Sequence, residues 1–189
     1  MTERSNILFA LKLWYKPQQT MQGLIEAKRG HTAALVVCML FGLVQILPMV
    51  ITEPAKAINL YATGSTSGIF AFFLFGWLVR NIGRWFGGQA EVREVRTAFG
   101  LGLLPWLVLF AALGAAIRGS GDSPELAGLF WVFFAGLVYG YTILLLCLSA
   151  ALRLSVLKTF FCLVVTIIVS TFPMTLLLQI LAPELLPAQ

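Results

Sequence analysis

Of the 189 residues, 59% are hydrophobic and only 11% are charged, against roughly half apolar and about a quarter charged in a soluble domain. With a mean hydropathy of +0.91, the chain is excluded from the class of water-soluble globular proteins and is expected to be an all-α integral membrane protein. The net charge of +5 is not a nucleic-acid footprint, because the basic residues flank apolar runs instead of forming a stripe interleaved with aromatics; no nucleic acid is expected as a partner.

The first thirty residues carry five Lys/Arg and no uninterrupted apolar run ending in small residues, so no cleavable signal is expected there. Ile7, Leu8, Leu11, Trp14 and Tyr15 fall at helical spacing on one face, beside Lys12 and Lys16, as far as Pro17. A second periodic piece, Met21, Leu24 and Ile25, leads to Lys28 and Arg29. Residues 1–30 therefore read as a cytoplasmic amphipathic segment. Two placements stay open for it. It either lies along the headgroups, where each basic side chain near anionic lipid contributes about 1 kcal/mol, or packs beneath the bundle as a cap.

Crossing about 30 Å of hydrocarbon takes roughly 20 apolar residues in a helix, which satisfies every backbone group internally. Residues 31–189 contain five such stretches, expected at about 32–51, 64–82, 97–117, 126–150 and 159–181. Counting Lys and Arg in alternate connecting segments gives eleven on one side and two on the other. The positive-inside rule then places the amino terminus in the cytoplasm and the carboxyl terminus outside, which requires an odd number of spans.

Within the first, third and fifth spans stand Pro48, Pro105 and Pro173, expected to bend their helices and free the carbonyls of Val44, Leu101 and Val169. Gln45, Thr166, Ser170, Thr171 and Gln179 could line a polar cavity near these breaks or satisfy freed backbone and neighbouring helices. Gly100 is expected to join Pro105 in shaping the third helix. Gly136 and Gly140 form a small-residue face, as does Gly114 with Ala111, Ala112 and Ala115; such faces serve packing within the chain or between copies.

Between the second and third spans, Arg80, Arg84, Glu91, Arg93, Glu94 and Arg96 surround a bend at Gly87 and Gly88. Val92, Val95 and Phe99 give this segment an apolar face, so it reads as an amphipathic cytoplasmic turn feeding the third span. Trp14, Arg80, Arg84, Glu91, Glu94 and Arg96 are the candidate contacts for a partner or a lipid headgroup; the alternative is that they are solvated topology anchors. The loop from Arg118 to Glu125 reads as a turn and helix start, with Ser123 able to cap, Pro124 at the first helical position and Glu125 at the positive helix end.

No acidic residue lies in the central part of any expected span, which argues against proton-coupled transport. His31, the sole histidine, reads as an interfacial anchor, since one imidazole cannot form a cluster. Ser149, Ser155 and Ser170 have no base nearby in sequence. Cys38, Cys147 and Cys162 read as small packing residues. No catalytic, cofactor or metal residue is assigned, and no enzyme is expected.

Trp14 and Pro17 before the first span, Gly87, Gly88 and Glu91 entering the third, and Gly100, Leu103, Leu104 and Pro105 within it resemble the Yip-one domain family of Ypt/Rab-interacting membrane proteins, especially its shorter prokaryotic relatives. Leu101 stands where the family's Gly-Tyr-x-Leu-Leu-Pro stretch has tyrosine, and the Asp-Leu-Tyr-Gly-Pro element of eukaryotic members is missing. The resemblance implies five spans, a cytoplasmic amino terminus, a prokaryotic cytoplasmic membrane and a non-enzymatic role. Its expected partners are membrane lipids and an unidentified membrane or cytoplasmic protein, a second copy included. The rival expectation is a lipid or small-solute translocator, with a polar path built from the proline breaks, Gln45, Gln179, Arg80 and Arg84.

Overall fold

The computed structural model describes residues 12–120 and 126–181. After a helical turn at residues 12–15 come α1 (Pro17–Glu26), α2 (His31–Thr52), α3 (Ala57–Trp85), α4 (Val92–Gly102), α5 (Leu104–Ser120), α6 (Leu126–Leu152) and α7 (Val156–Leu181). Five stretches are long and apolar enough to cross a bilayer: His31–Thr52, Pro54–Trp85, Val92–Ala116, Phe130–Leu152 and Val156–Leu177. The chain is an all-α membrane bundle. Of the loop from Arg118 to Glu125, positions 121–125 lie outside the described residues, as do Ile7, Leu8 and Leu11.

Glycine sets the closest helix crossing. α2 and α3 run antiparallel, and a Cβ on Gly42 would strike the Gly64 carbonyl, while one on Gly68 would strike that of Cys38. Backbones that approach this closely gain dispersion contacts which lipid cannot supply. α3 starts seven residues before the expected second span, at Ala57. Ser and Thr lower the hydropathy of this stretch, but Ser65 Oγ donates to the Tyr61 carbonyl at 2.9 Å and Ser67 Oγ to that of Gly64 at 2.9 Å. Hydroxyls satisfied by their own helix let it continue.

The third span is two helices, not one bent at proline. α4 ends at Gly102, the Leu103 N–H donates to the Gly100 carbonyl at 3.2 Å, and α5 begins at Leu104. Pro105 thus sits in the first turn of α5, where a missing N–H leaves no bond unmade. Gly100 lies against the Ala34 carbonyl of α2, and Gly102 against Leu144 of α6. Pro48 and Pro173 are each accommodated inside a continuous helix. The hydroxyls near Pro173 turn back on α7 itself: Thr166 Oγ1 donates to the Cys162 carbonyl at 2.7 Å, and Ser170 and Thr171 to that of Ile167 at 3.0 and 2.9 Å.

α5 covers the small-residue face of α6 within the same chain. Gly136 faces Leu109, and Gly140 faces Trp106, whose Nε1 donates to the Leu137 carbonyl at 3.0 Å. Ala111, Ala112 and Ala115 stay exposed, and Gly114 has Leu47 as its neighbour. The three cysteines are free and buried.

The amino-terminal segment docks along the flank of α6. Pro17, Thr20, Met21 and Leu24 form its buried face. Gln18 Nε2 donates to Ser149 Oγ at 3.2 Å, and Tyr139 Oη donates to the Trp14 carbonyl at 2.8 Å, with the two rings 6.0 Å apart.

Candidate functional site

Glu91, Arg93 and Glu94, at the start of α4, share a cavity with Lys28 and Arg29, just past the end of α1; Arg153 reaches Glu94, Arg96 follows on α4, and Arg80 stands near the end of α3. The turn from α3 into α4 is made by backbone. Gly87 takes φ +92, a left-handed conformation that glycine adopts without steric cost, and the Gly88 N–H returns to the Gly83 carbonyl at 2.8 Å. The Gln89 N–H reaches the Leu152 carbonyl at 3.3 Å, tying the turn to the end of α6.

Glu91 and Glu94 form a capping box on α4: each carboxylate accepts a backbone N–H of the first turn, that of Glu91 reaching Glu94 Oε2 at 2.9 Å. The other Glu94 oxygen lies 3.5 Å from an Arg153 guanidinium nitrogen. Both acidic candidates are therefore helix-capping groups. A small cavity of about 120 Å³ separates them, with Arg93, from Lys28 and Arg29.

Arg96 follows a different course. Its stem crosses α3 at Gly76, where a Cβ would occupy the place of the arginine Cγ, and its guanidinium carbon lies 4.5 Å above the centre of the Phe73 ring. Such cation–π contacts contribute about 0.5–2 kcal/mol, more where water is excluded. His31 opens α2 with its ring 5.3 Å from Phe72, and Arg93 and Arg96 are close enough to act on its charge. Arg80 is one turn beyond Gly76, and its Nη1 donates to Asn81 Oδ1 at 3.2 Å. Arg80 Nε, Arg96 Nε and His31 Nδ1 are buried and have no hydrogen-bond partner among the described residues.

The remaining candidates sit elsewhere. Arg84 and Trp85 are exposed at the end of α3, Trp85 at 80%, and Trp14 belongs to the α6 contact. No sequence pattern pairs Arg96 with Gly76 and Phe73, or brings His31 beside Phe72. Gly64 and Gly68 mark the crossing with α2, but Gly76 stands about 120° around α3 from Gly64 and meets α4 instead.

A cavity of about 260 Å³ lies deeper, lined by Phe41, Phe75, Trp106, Leu163 and Met174, with Gln45, Ser67 and Tyr141 as its polar groups. A second, of about 300 Å³, includes Val44, Gln45, Pro48 and Phe110. Gln45 lines both; Arg80, Arg84 and Gln179 line neither.

No curated protein and no solved structure matches the chain. The sequence profile of the Yip1 domain matches residues 11–178, a stretch that takes in the docked amino-terminal segment, the glycine crossing, the α3–α4 turn and all five spans, and the chain therefore belongs to the Yip1-domain family.

Proposed function

We propose that the protein is a non-enzymatic component of a prokaryotic cytoplasmic membrane that binds partner proteins, a second copy of itself included, and organises the bilayer around it. Residues 1–30 then act as a cytoplasmic segment of the spanning domain of residues 31–189, and its described part, from residue 12, is docked on α6. The observation that carries this reading is the exposed Arg84–Trp85 pair at the end of α3, next to a turn that the capping box and the Gln89–Leu152 hydrogen bond hold rigid. Arginine and tryptophan are the side chains most enriched at the energetic centres of protein interfaces, and a rigid turn presents them without an ordering cost.

The test uses protein purified in mild detergent. A reproducible partner, or self-association measured by sedimentation, should be retained by the parent and weakened by Trp85→Ala and Arg84→Ala, with melting temperature unchanged. The two cavities that share Gln45 favour a second reading, lipid translocation, although their mainly apolar lining suits a hydrocarbon chain better than a headgroup. Labelled-lipid movement in liposomes that depends on the protein, is lost when Arg80→Ala is combined with Arg84→Ala, and comes with no reproducible partner would replace the first reading with the second.

A further inference from the structure

α3 and α4 are antiparallel, so Gly76 and then Phe73 lie progressively farther from the α3–α4 turn. From Gly76 the Arg96 guanidinium reaches Phe73, and it therefore points away from the turn, toward the middle of the span. An arginine near the end of a span ordinarily extends the other way, to bring its charge to water. α2 begins at the same depth, since His31 lies against Phe72, thirteen residues before the end of α3 and about 20 Å along it. Just before α2, Gly30 is packed against Leu24, Thr97 and Leu101, so Arg93, Arg96 and His31 form a basic patch on the side of the bundle at this level.

Among the described residues, the positive charge of this patch has no ion-paired counter-charge. Glu91 and Glu94 are engaged by the α4 backbone and Arg153, and no ion pair among the described residues answers Arg80, Arg93 or Arg96. α2 opens with no side-chain cap and no acidic residue in its first turn, which adds the positive end of a 22-residue helix. Arg96 Nε and His31 Nδ1 are unpartnered here, and Arg80 Nε, unpartnered too, stands one turn of α3 beyond Gly76. Beside the patch, Phe73 and Trp77 are 44% and 54% exposed on the lipid-facing side of α3.

We propose that Arg96, Arg93 and His31, with Arg80 one turn away, bind the phosphate of an anionic phospholipid headgroup, whose acyl chains lie along Trp77 and Phe73. A phosphate accepts charge-assisted hydrogen bonds from guanidinium groups and is stabilised at a helix amino terminus. The flanking aromatic rings assign it to a lipid in place of a free anion. The site is independent of protein docking at Trp85, because lipid is titrated onto the purified chain.

In detergent, short-chain phosphatidic acid should raise the melting temperature saturably, whereas short-chain phosphatidylcholine and inorganic phosphate at equal concentration should have little effect. Arg96→Met keeps a stem against Gly76 and removes the charge; it should weaken phosphatidic acid binding roughly tenfold or more. Arg93→Gln, at an exposed position, should weaken binding in the same direction and serves if Arg96→Met does not fold. Lys158→Gln, on α7, should bind as the parent does. Equal stabilisation by inorganic phosphate would reassign the patch to free anions, and an equal response to phosphatidylcholine would remove the headgroup preference. Parent-like binding by both Arg96→Met and Arg93→Gln would overturn the site.

Discussion

Gly68 and Gly23 show how the same residue type carries opposite weight. A side chain on Gly68 would meet the Cys38 carbonyl, a backbone group that moves only if α2 moves, whereas one on Gly23 meets nothing within 4 Å. Gly68→Leu should therefore destabilise by about 1–3 kcal/mol or more through overpacking. Gly23→Ala, inside α1, should stabilise by about 0.5–1 kcal/mol, because alanine has less backbone freedom to lose. Unfolding in detergent checks both, and equal melting of the two variants would show that α2 and α3 are not held at the glycine crossing. At this scale the sequence names residues better than partners. Arg96 stands out as a charge, but its place over Phe73 depends on the antiparallel pairing of two helices across a turn, which no local pattern encodes.

Among the elements, the break between α4 and α5 separates two residues that the sequence treats together. Pro105 stands in a helix's first turn, so Pro105→Ala should change stability by less than about 1 kcal/mol. Gly100 touches the Ala34 carbonyl, and Gly100→Leu should cost several times more; comparable losses for both would argue that the proline itself holds the break. Tyr139→Phe deletes the donor to the Trp14 carbonyl, a net loss of about 0.5–1.5 kcal/mol. Hydrogen exchange should then quicken across residues 12–26 and stay unchanged in α2. The spans were legible because apolar runs of bilayer length have few alternatives. The true start of α3 was not, since its serines and threonines look polar until their hydroxyls are seen bonded to their own helix.

For the whole molecule, Lys28, Arg29 and Arg93 border one cavity and Arg153 meets Glu94 beside it, whereas Lys56 and Glu53 pair beyond the other end of α2. The positive-inside rule expects the cytoplasm at the crowded basic end; a cysteine placed near Gln189, after replacement of Cys38, Cys147 and Cys162, should then react with an impermeant thiol reagent in intact cells. Labelling only after lysis would reverse the orientation. The docking of the amino-terminal segment also has a meaning in time. Gln18 and its partner Ser149 are separated by 131 residues, and at about 5–20 residues per second α1 leaves the ribosome on the order of ten seconds before α6 exists. Through that interval its apolar face can rest in the headgroup layer, so lying on lipid and packing on the bundle become successive states of one segment. A bifunctional thiol reagent should join Gln18→Cys to Ser149→Cys, in a chain without the native cysteines, only once α6 has been released; the last-made helices thereby latch the first-made one.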